Sequence, residues 1–274
     1  MPLRLTGPLL LVGAGKMGGA LLAGWLARGL DPTQIFIQDP ALSEEMAAFA
    51  ATHGISVSEA PALPFPPGVA VIAVKPDLTE KILPEIAPLV GPQTVVLSVA
   101  AGRTSKSLTR HLPERAALVR AMPNMPASIG EGITVCFANA HVTPEQRQTC
   151  EALLSAVGEV VWVEDEALLD AVTAVSGSGP AYVFYLAECL EQAGIDAGLP
   201  RDLAAQLARA TVSGAGALLK QSEHDAATLR THVTSPKGTT AAALDVLMDE
   251  DALKELLSRA VAAASKRSRE LSGS

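Results

Sequence analysis

The chain has 274 residues, 49 % hydrophobic and 18 % charged, with a formal net charge of -8 at pH 7. This length and apolar content provide for one large domain or two ordinary ones and exclude a disordered chain. An acidic balance, with no basic cluster ahead of Lys266, Arg267 and Arg269, argues against a nucleic-acid partner.

The first predicted element is a strand, LLLV, which ends at Gly13. Its apolar run is broken too early by GAGKMGG to cross a membrane. Gly13, Gly15 and Gly18 fit GxGxxG, and the helix GGALLAGWLARGL follows, stopping near Gly29. A turn at Asp31-Pro32 leads to a second strand, QIFIQD. Strand, glycine loop, helix and strand together form a βαβ unit of the dinucleotide-binding type. The first glycine permits the tight turn, the second lets backbone approach a pyrophosphate, and the third lets helix pack on strand. The anion is expected on the helix N-terminus, beside Lys16 and Met17. Gln38 and Asp39 close the second strand about twenty residues beyond the fingerprint, where an acid bonds ribose hydroxyls. No Lys or Arg lies between Gly29 and Val74 to meet a phosphate on that ribose, which favours NADH over NADPH.

Further strands are predicted at ISV, at 69–76, at 94–102 and in the apolar segments AALVRAMPN, ITVCFAN and EVVWVE. Strands apolar on both faces, alternating with helical stretches such as LTEKILPEIAPLV, indicate a doubly wound parallel sheet of Rossmann type. Ligands lie at the carboxyl ends of such strands. Ala73, Val74, Lys75 and Pro76 fall at one end, Ala100 and Ala101 at a second, and Asn124 in the MPNMP turn at a third. Lys75 reads equally as cofactor-facing or as an exposed strand-end lysine. Asn124, set between prolines, reads more readily as structural than as catalytic.

The strand pattern ends near Glu166, placing a dinucleotide-binding domain at 1–164 and a helical domain at 165–274. DAVTAVSGSGPAYVFYLAECLEQAG reads as a helix buried all round, with Ser176 and Ser178 serving its bend and packing. Helices follow at 200–221 and 239–271. Helices this apolar require a partner surface, so a homodimer is expected. Between them lies SPKGTT, Ser235 to Thr240. Its hydroxyls, proline and glycine suit helix capping and turns, and equally an anion site at a helix N-terminus. Cys136, Cys150 and Cys189 are far apart with no CxxC, as in a reducing, cytoplasmic protein. The five histidines have no metal-ligand spacing, so no metal site is expected and they read as surface or capping residues.

GAGKMGGAL, VKP, SVAAG, RAMPNMPASIGEGIT, DAVTAVSGSGPAYVF and VTSPKGTTAAAL, in that order, resemble pyrroline-5-carboxylate reductase over nearly the whole chain. The resemblance implies an NAD(P)H-dependent enzyme completing proline biosynthesis, with a helical domain exchanged between subunits and dimers that also assemble into larger rings. It implies that the loop Ser235–Thr240 holds the substrate carboxylate, through Ser235 Oγ and the amides of Gly238, Thr239 and Thr240. Thr240 Oγ would lie near the ring nitrogen, and Val233 and Glu223 would line the site; Glu223 reads equally as a solvated helix-end acid. The chain departs from the family at Lys237, where a glycine is usual. Asp39 differs from the neutral or hydroxyl residues of NADPH-preferring members. The alternatives are a hydroxy-acid reductase, whose lysine acid would be sought among Lys220, Lys237, Lys254 and Lys266, and a non-catalytic dinucleotide sensor.

Overall fold

The computed structural model describes residues 3–5, 7–60, 63 and 66–272. The chain divides into two compact units, Met1–Gly177 together with Ala264–Ser274, and Ser178–Ala263.

In the first unit the apolar runs become strands because both of their faces can be covered. β1 (Leu9–Val12) is buried along its whole length, and α1 (Lys16–Ala27) lays Leu21, Leu22 and Trp25 against it. Trp25 Nε1 donates to Leu153 O (2.9 Å), joining α1 to α5 (Pro144–Leu154) without leaving a buried donor unpaired. β2 (Ile35–Gln38), α2 (Glu44–His53), β3 (Ser56–Ser58), β4 (Val69–Ile72), α3 (Thr79–Ile86), β5 (Val95–Ser98), α4 (Ser105–Thr109), β6 (Ala117–Met122), β7 (Gly132–Ala138) and β8 (Gly158–Trp162) complete the unit, with α5 between β7 and β8. Helix starts obey local chemistry. Ser43 caps α2, and Thr143 with Gln146 forms a reciprocal capping box on α5.

The eight strands run in the order β3-β2-β1-β4-β5-β6-β7-β8. All neighbours are parallel except β6 and β7, which are antiparallel. The doubly wound parallel sheet expected from the sequence is present, with this one pair antiparallel. Only residues 123–131 separate the two strands, and a parallel crossover needs roughly a dozen residues or more. Order reverses between β1 and β4, which makes their carboxyl ends the switch point of the sheet.

α6 (Leu168–Val172) and a π-helical turn (Thr173–Gly177) end this stretch of the first unit. The second holds α7 (Gly179–Asp196), α8 (Arg201–Gln221), α9 (Ala226–His232), α10 (Thr239–Met248) and the start of α11 (Ala252–Ser272). α7 and α8 approach closely at their turn, where a Cβ on Gly194 would stand 3.3 Å from Ala204 Cβ. The single helix expected over 239–271 is instead two. Glu250 and Asp251 take left-handed backbone (φ 46° and 60°), and the acids Asp249, Glu250 and Asp251 gather before α11. Carboxylates there complement the positive end of α11, whereas a continuous helix would waste that attraction. The end of α11 belongs to the first unit, where buried Ser268 donates to Asp170 Oδ1 (2.6 Å).

No helix among the described residues is long and apolar enough to cross a membrane.

Candidate active site

The fingerprint loop is built around its glycines. Gly13 has φ +89°, and a Cβ there would lie 2.8 Å from Val74 Cγ1. At Gly18 a Cβ would stand 2.1 Å from Gly13 O, so helix and loop meet backbone to backbone. Gly15 differs from both. A Cβ on it would meet nothing within 4 Å, and no side chain caps α1 at this N-cap. The loop therefore presents an open face at the positive end of a helix, where an anion is stabilised.

Asp39 holds the loop from the side. Its Oδ2 accepts the Ala14 N–H (2.9 Å) and its Oδ1 the Ala41 N–H (2.9 Å). Gln38, one residue earlier, is 2 % exposed, yet neither end of its side-chain amide has a partner among the described residues. Buried amides are rarely left so, and this one lies at the carboxyl end of β2, next to the fingerprint strand. The open glycine, the uncapped helix and the orphaned amide fit a dinucleotide.

Ala73, Val74, Lys75 and Pro76 leave β4, beside the fingerprint strand in sheet order, and Ala100 and Ala101 follow β5, one strand further on. Lys75 is exposed. Asn124 is committed within the protein. Its Oδ1 accepts the Ile133 N–H (3.0 Å) and its Nδ2 donates to Ser176 Oγ (3.3 Å), tying the β6–β7 turn to the π-helical turn.

The substrate-loop residues stand on the second unit. Gly238 is the N-cap of α10 with no side-chain cap, so the amides of the first turn, among them Thr239 and Thr240, face outward. Ser235 Oγ sits over this N-terminus, 2.6 Å from where a Gly238 Cβ would be. Lys237 has φ +60°, a conformation that a glycine adopts with least cost, so the lysine sits on glycine-like backbone. Val233 closes α9 and is exposed, as is Glu223 in the turn before that helix. Asp225 caps α9, and bonds from Thr228 hold its carboxyl below the usual range. The cofactor-facing candidates thus gather on the first unit and the substrate candidates on the second.

Reading the sequence missed two charged groups near these loops. Arg103 Nε donates to Pro76 O and its Nη1 to Glu80 Oε1, both at 2.9 Å. Glu166 accepts from Arg120 and from the Ser105 N–H. Neither has a sequence signal, because every partner is more than twenty residues away. Among the described residues no group of three or more His, Cys, Asp or Glu could hold a metal.

A glycine-loop βαβ unit at the switch point of a doubly wound sheet, followed by a helical unit, defines a dinucleotide-dependent oxidoreductase. Two family models divide the chain: NADP oxidoreductase, coenzyme F420-dependent, over residues 9–102, and pyrroline-5-carboxylate reductase dimerisation over residues 166–271. A Pseudomonas aeruginosa pyrroline-5-carboxylate reductase is 40 % identical, over 97 % of each chain. The structure of a Coxiella burnetii pyrroline-5-carboxylate reductase superposes with a TM-score of 0.90 at 34 % identity, covering 98 % of this chain and 99 % of that one. A Plasmodium falciparum pyrroline carboxylate reductase with NADP bound gives 0.80 at 26 % identity, covering 97 % and 98 %. This chain belongs to the pyrroline-5-carboxylate reductase family.

Proposed function

We propose that the chain reduces 1-pyrroline-5-carboxylate to L-proline, with NADH preferred over NADPH. The observation that carries the reading is the uncapped N-terminus of α10, set under Ser235 and Gly238 in a chain matched along its length to such reductases. A helix end with free amides and a hydroxyl suits a small carboxylate. A hydroxy-acid reductase is not favoured by these relatives.

A bound dinucleotide supplies the hydride. The chain's own residues do the rest by placement. Ser235 Oγ and the amides of Thr239 and Thr240 hold the substrate carboxylate, Gly238 shapes the turn with its own N–H donated to Ser235 O (3.0 Å), and Val233 and Glu223 line the ring. Thr240 Oγ orients the ring nitrogen and relays to it a proton from water, taking one up as it gives one, which makes the C=N carbon electrophilic. The amides after Gly15, at Lys16, Met17 and Gly18, take the pyrophosphate, while Gln38 and Asp39 serve the adenosine end. Ala73 to Pro76 and Ala100–Ala101 wall the nicotinamide side, and Asn124 acts as a strut beneath it. The NADH preference rests on Asp39, whose carboxylate would repel a ribose phosphate, and on the missing Lys and Arg between 29 and 74. Residues 165–274 form the dimerisation and substrate-binding part, and the reducing cytoplasm suits three free thiols.

The test follows oxidation of NADH and NADPH separately with racemic pyrroline-5-carboxylate. Turnover with faster use of NADH supports the reading, and faster use of NADPH overturns the inference from Asp39. No turnover, with dinucleotide binding intact, overturns the reaction. Thr240→Ala should lower turnover by about ten- to a thousandfold, the scale of a positioned proton donor. Near-normal turnover removes Thr240 from that role.

A further inference from the structure

The crevice at the switch point has two walls. The fingerprint and Asp39 stand on the β1–β2 side, and the exits of β4 and β5 stand on the other. In a doubly wound sheet the first wall belongs to the adenosine half of a dinucleotide and the second to the nicotinamide half.

Arg103 bridges the two loops of the second wall. Its backbone follows the Ala100–Gly102 turn after β5, and its side chain reaches the turn after β4. There Nε donates to Pro76 O (2.9 Å) and Nη1 to Glu80 Oε1 at the start of α3 (2.9 Å). Pro76 O also accepts the Thr79 N–H, so the guanidinium grips the first turn leading into α3. The Arg103 side chain is 21 % exposed, while its partner Glu80 is 54 % exposed and screened by solvent. The β5 exit is braced from its other flank as well. A Cβ on Gly102 would stand 3.1 Å from Leu271 Cβ, and Glu166 accepts the Ser105 N–H (2.6 Å).

We propose that Arg103 is a positioning residue, which sets the spacing of the β4 and β5 exit loops for the nicotinamide half of the dinucleotide. This rests on the dinucleotide reading above. An arginine suits the task because its planar fork engages a carbonyl and a carboxylate at once, whereas a lysine is a point charge on a flexible stem. The fork ties the two loops directly, above the parallel pairing of β4 and β5. A small drift at loops that orient a reacting ring costs more than its size suggests. The adenosine wall, held by Asp39 on Ala14 and Ala41, does not depend on Arg103.

The experiment measures equilibrium binding of two probes to the full-length chain and its variants. One probe is whichever of NADH and NADPH the wild type binds more tightly, and the other is 5′-AMP. Arg103→Met should weaken dinucleotide binding about tenfold, the scale of a lost charged hydrogen bond, with AMP unchanged within about twofold. Arg103→Lys should fall between Met and wild type. Equal loss for both probes, or loss for neither, overturns the proposal, because a merely structural role cannot tell the halves apart. Should Arg103→Met fail to fold, the same comparison in Glu80→Gln decides: selective weakening of the dinucleotide supports the clamp and any other pattern overturns it. A wild type that binds no dinucleotide overturns the functional reading together with this one. A wild type that binds, with Arg103→Met indistinguishable from it, overturns this one alone.

Discussion

The three glycines of the fingerprint are not equivalent, and substitution separates their tasks. A methyl group at Gly18 would be driven to 2.1 Å from a carbonyl oxygen that cannot swing away. Gly18→Ala should therefore destabilise the fold by about 3 kcal/mol, at the upper end for overpacking, and thermal unfolding will show it. Gly15→Ala adds its methyl to open space, on backbone that an alanine can adopt. Its melting temperature should match wild type while dinucleotide affinity falls at least about tenfold, since the methyl occupies the pyrophosphate's approach. Equal affinity in Gly15→Ala would move the pyrophosphate off this loop. The glycine spacing is legible in the sequence because these positions are consecutive along the chain. The double duty of Asp39 is not legible, because its bonds to Ala14 and Ala41 need the loop already folded. Lys237 is a case between. The sequence marks it as a departure from the resembled family, and only the structure shows that the lysine adopts a left-handed backbone there.

At the scale of elements, strands of the first unit follow from apolar runs and glycine punctuation, and their order follows from chain connection. The antiparallel β7 is the exception. Its sequence, ITVCFA, looks like its parallel neighbours, and direction is decided by the length of the preceding turn rather than by the strand. The break before α11 is hidden for a related reason. Glu is a good helix former in isolation, and the three acids stop the helix only because a second helix can begin on them. The joints between elements were the least visible part of the chain. Glu166 lies ahead of α6, and there it accepts from Arg120 on β6 and from the Ser105 amide of α4. The side chains are 11 % exposed at Arg120 and 27 % at Glu166, so solvent screens the pair only in part. Glu166→Ala would strand a partly buried guanidinium and an amide together. Chemical denaturation should register a loss of about 2 kcal/mol. An unchanged midpoint would mean that water replaces the carboxylate without cost.

For the molecule as a whole, the second unit is defined by what it leaves uncovered. Val183, Phe184, Tyr185, Leu186 and Leu190 on α7 are exposed, as are Leu203, Leu207, Leu218 and Leu219 on α8 and Val246, Leu247, Leu256 and Leu257 further on. The excess of apolar residues was plain in the sequence, but which of them face outward required the packed helices. Large contiguous apolar surface marks an interaction face, and the family model over residues 166–271 is one for dimerisation. Cysteine chemistry can footprint it. Burial pushes the Cys136 thiol up to about 12 and raises Cys150 as well, so neither is a thiolate at neutral pH. Cys189 lies on exposed α7 beside Tyr185. If a second chain covers α7, an alkylating reagent at neutral pH should modify none of the three thiols in native protein, and all three in denaturant. Modification of Cys189 alone in the native state would show that face to be open.

The course of the last helix bears on how the protein is made. Residues from Ala264 onward belong to the unit formed by the first 177, with Ser268 on Asp170 and Leu271 against Gly102. A ribosome delivers those residues only after residues 178–263. The nucleotide-binding unit, although most of it precedes the helical one, waits through synthesis of residues 178–263 for this brace. The first unit can therefore close only after the second has been made.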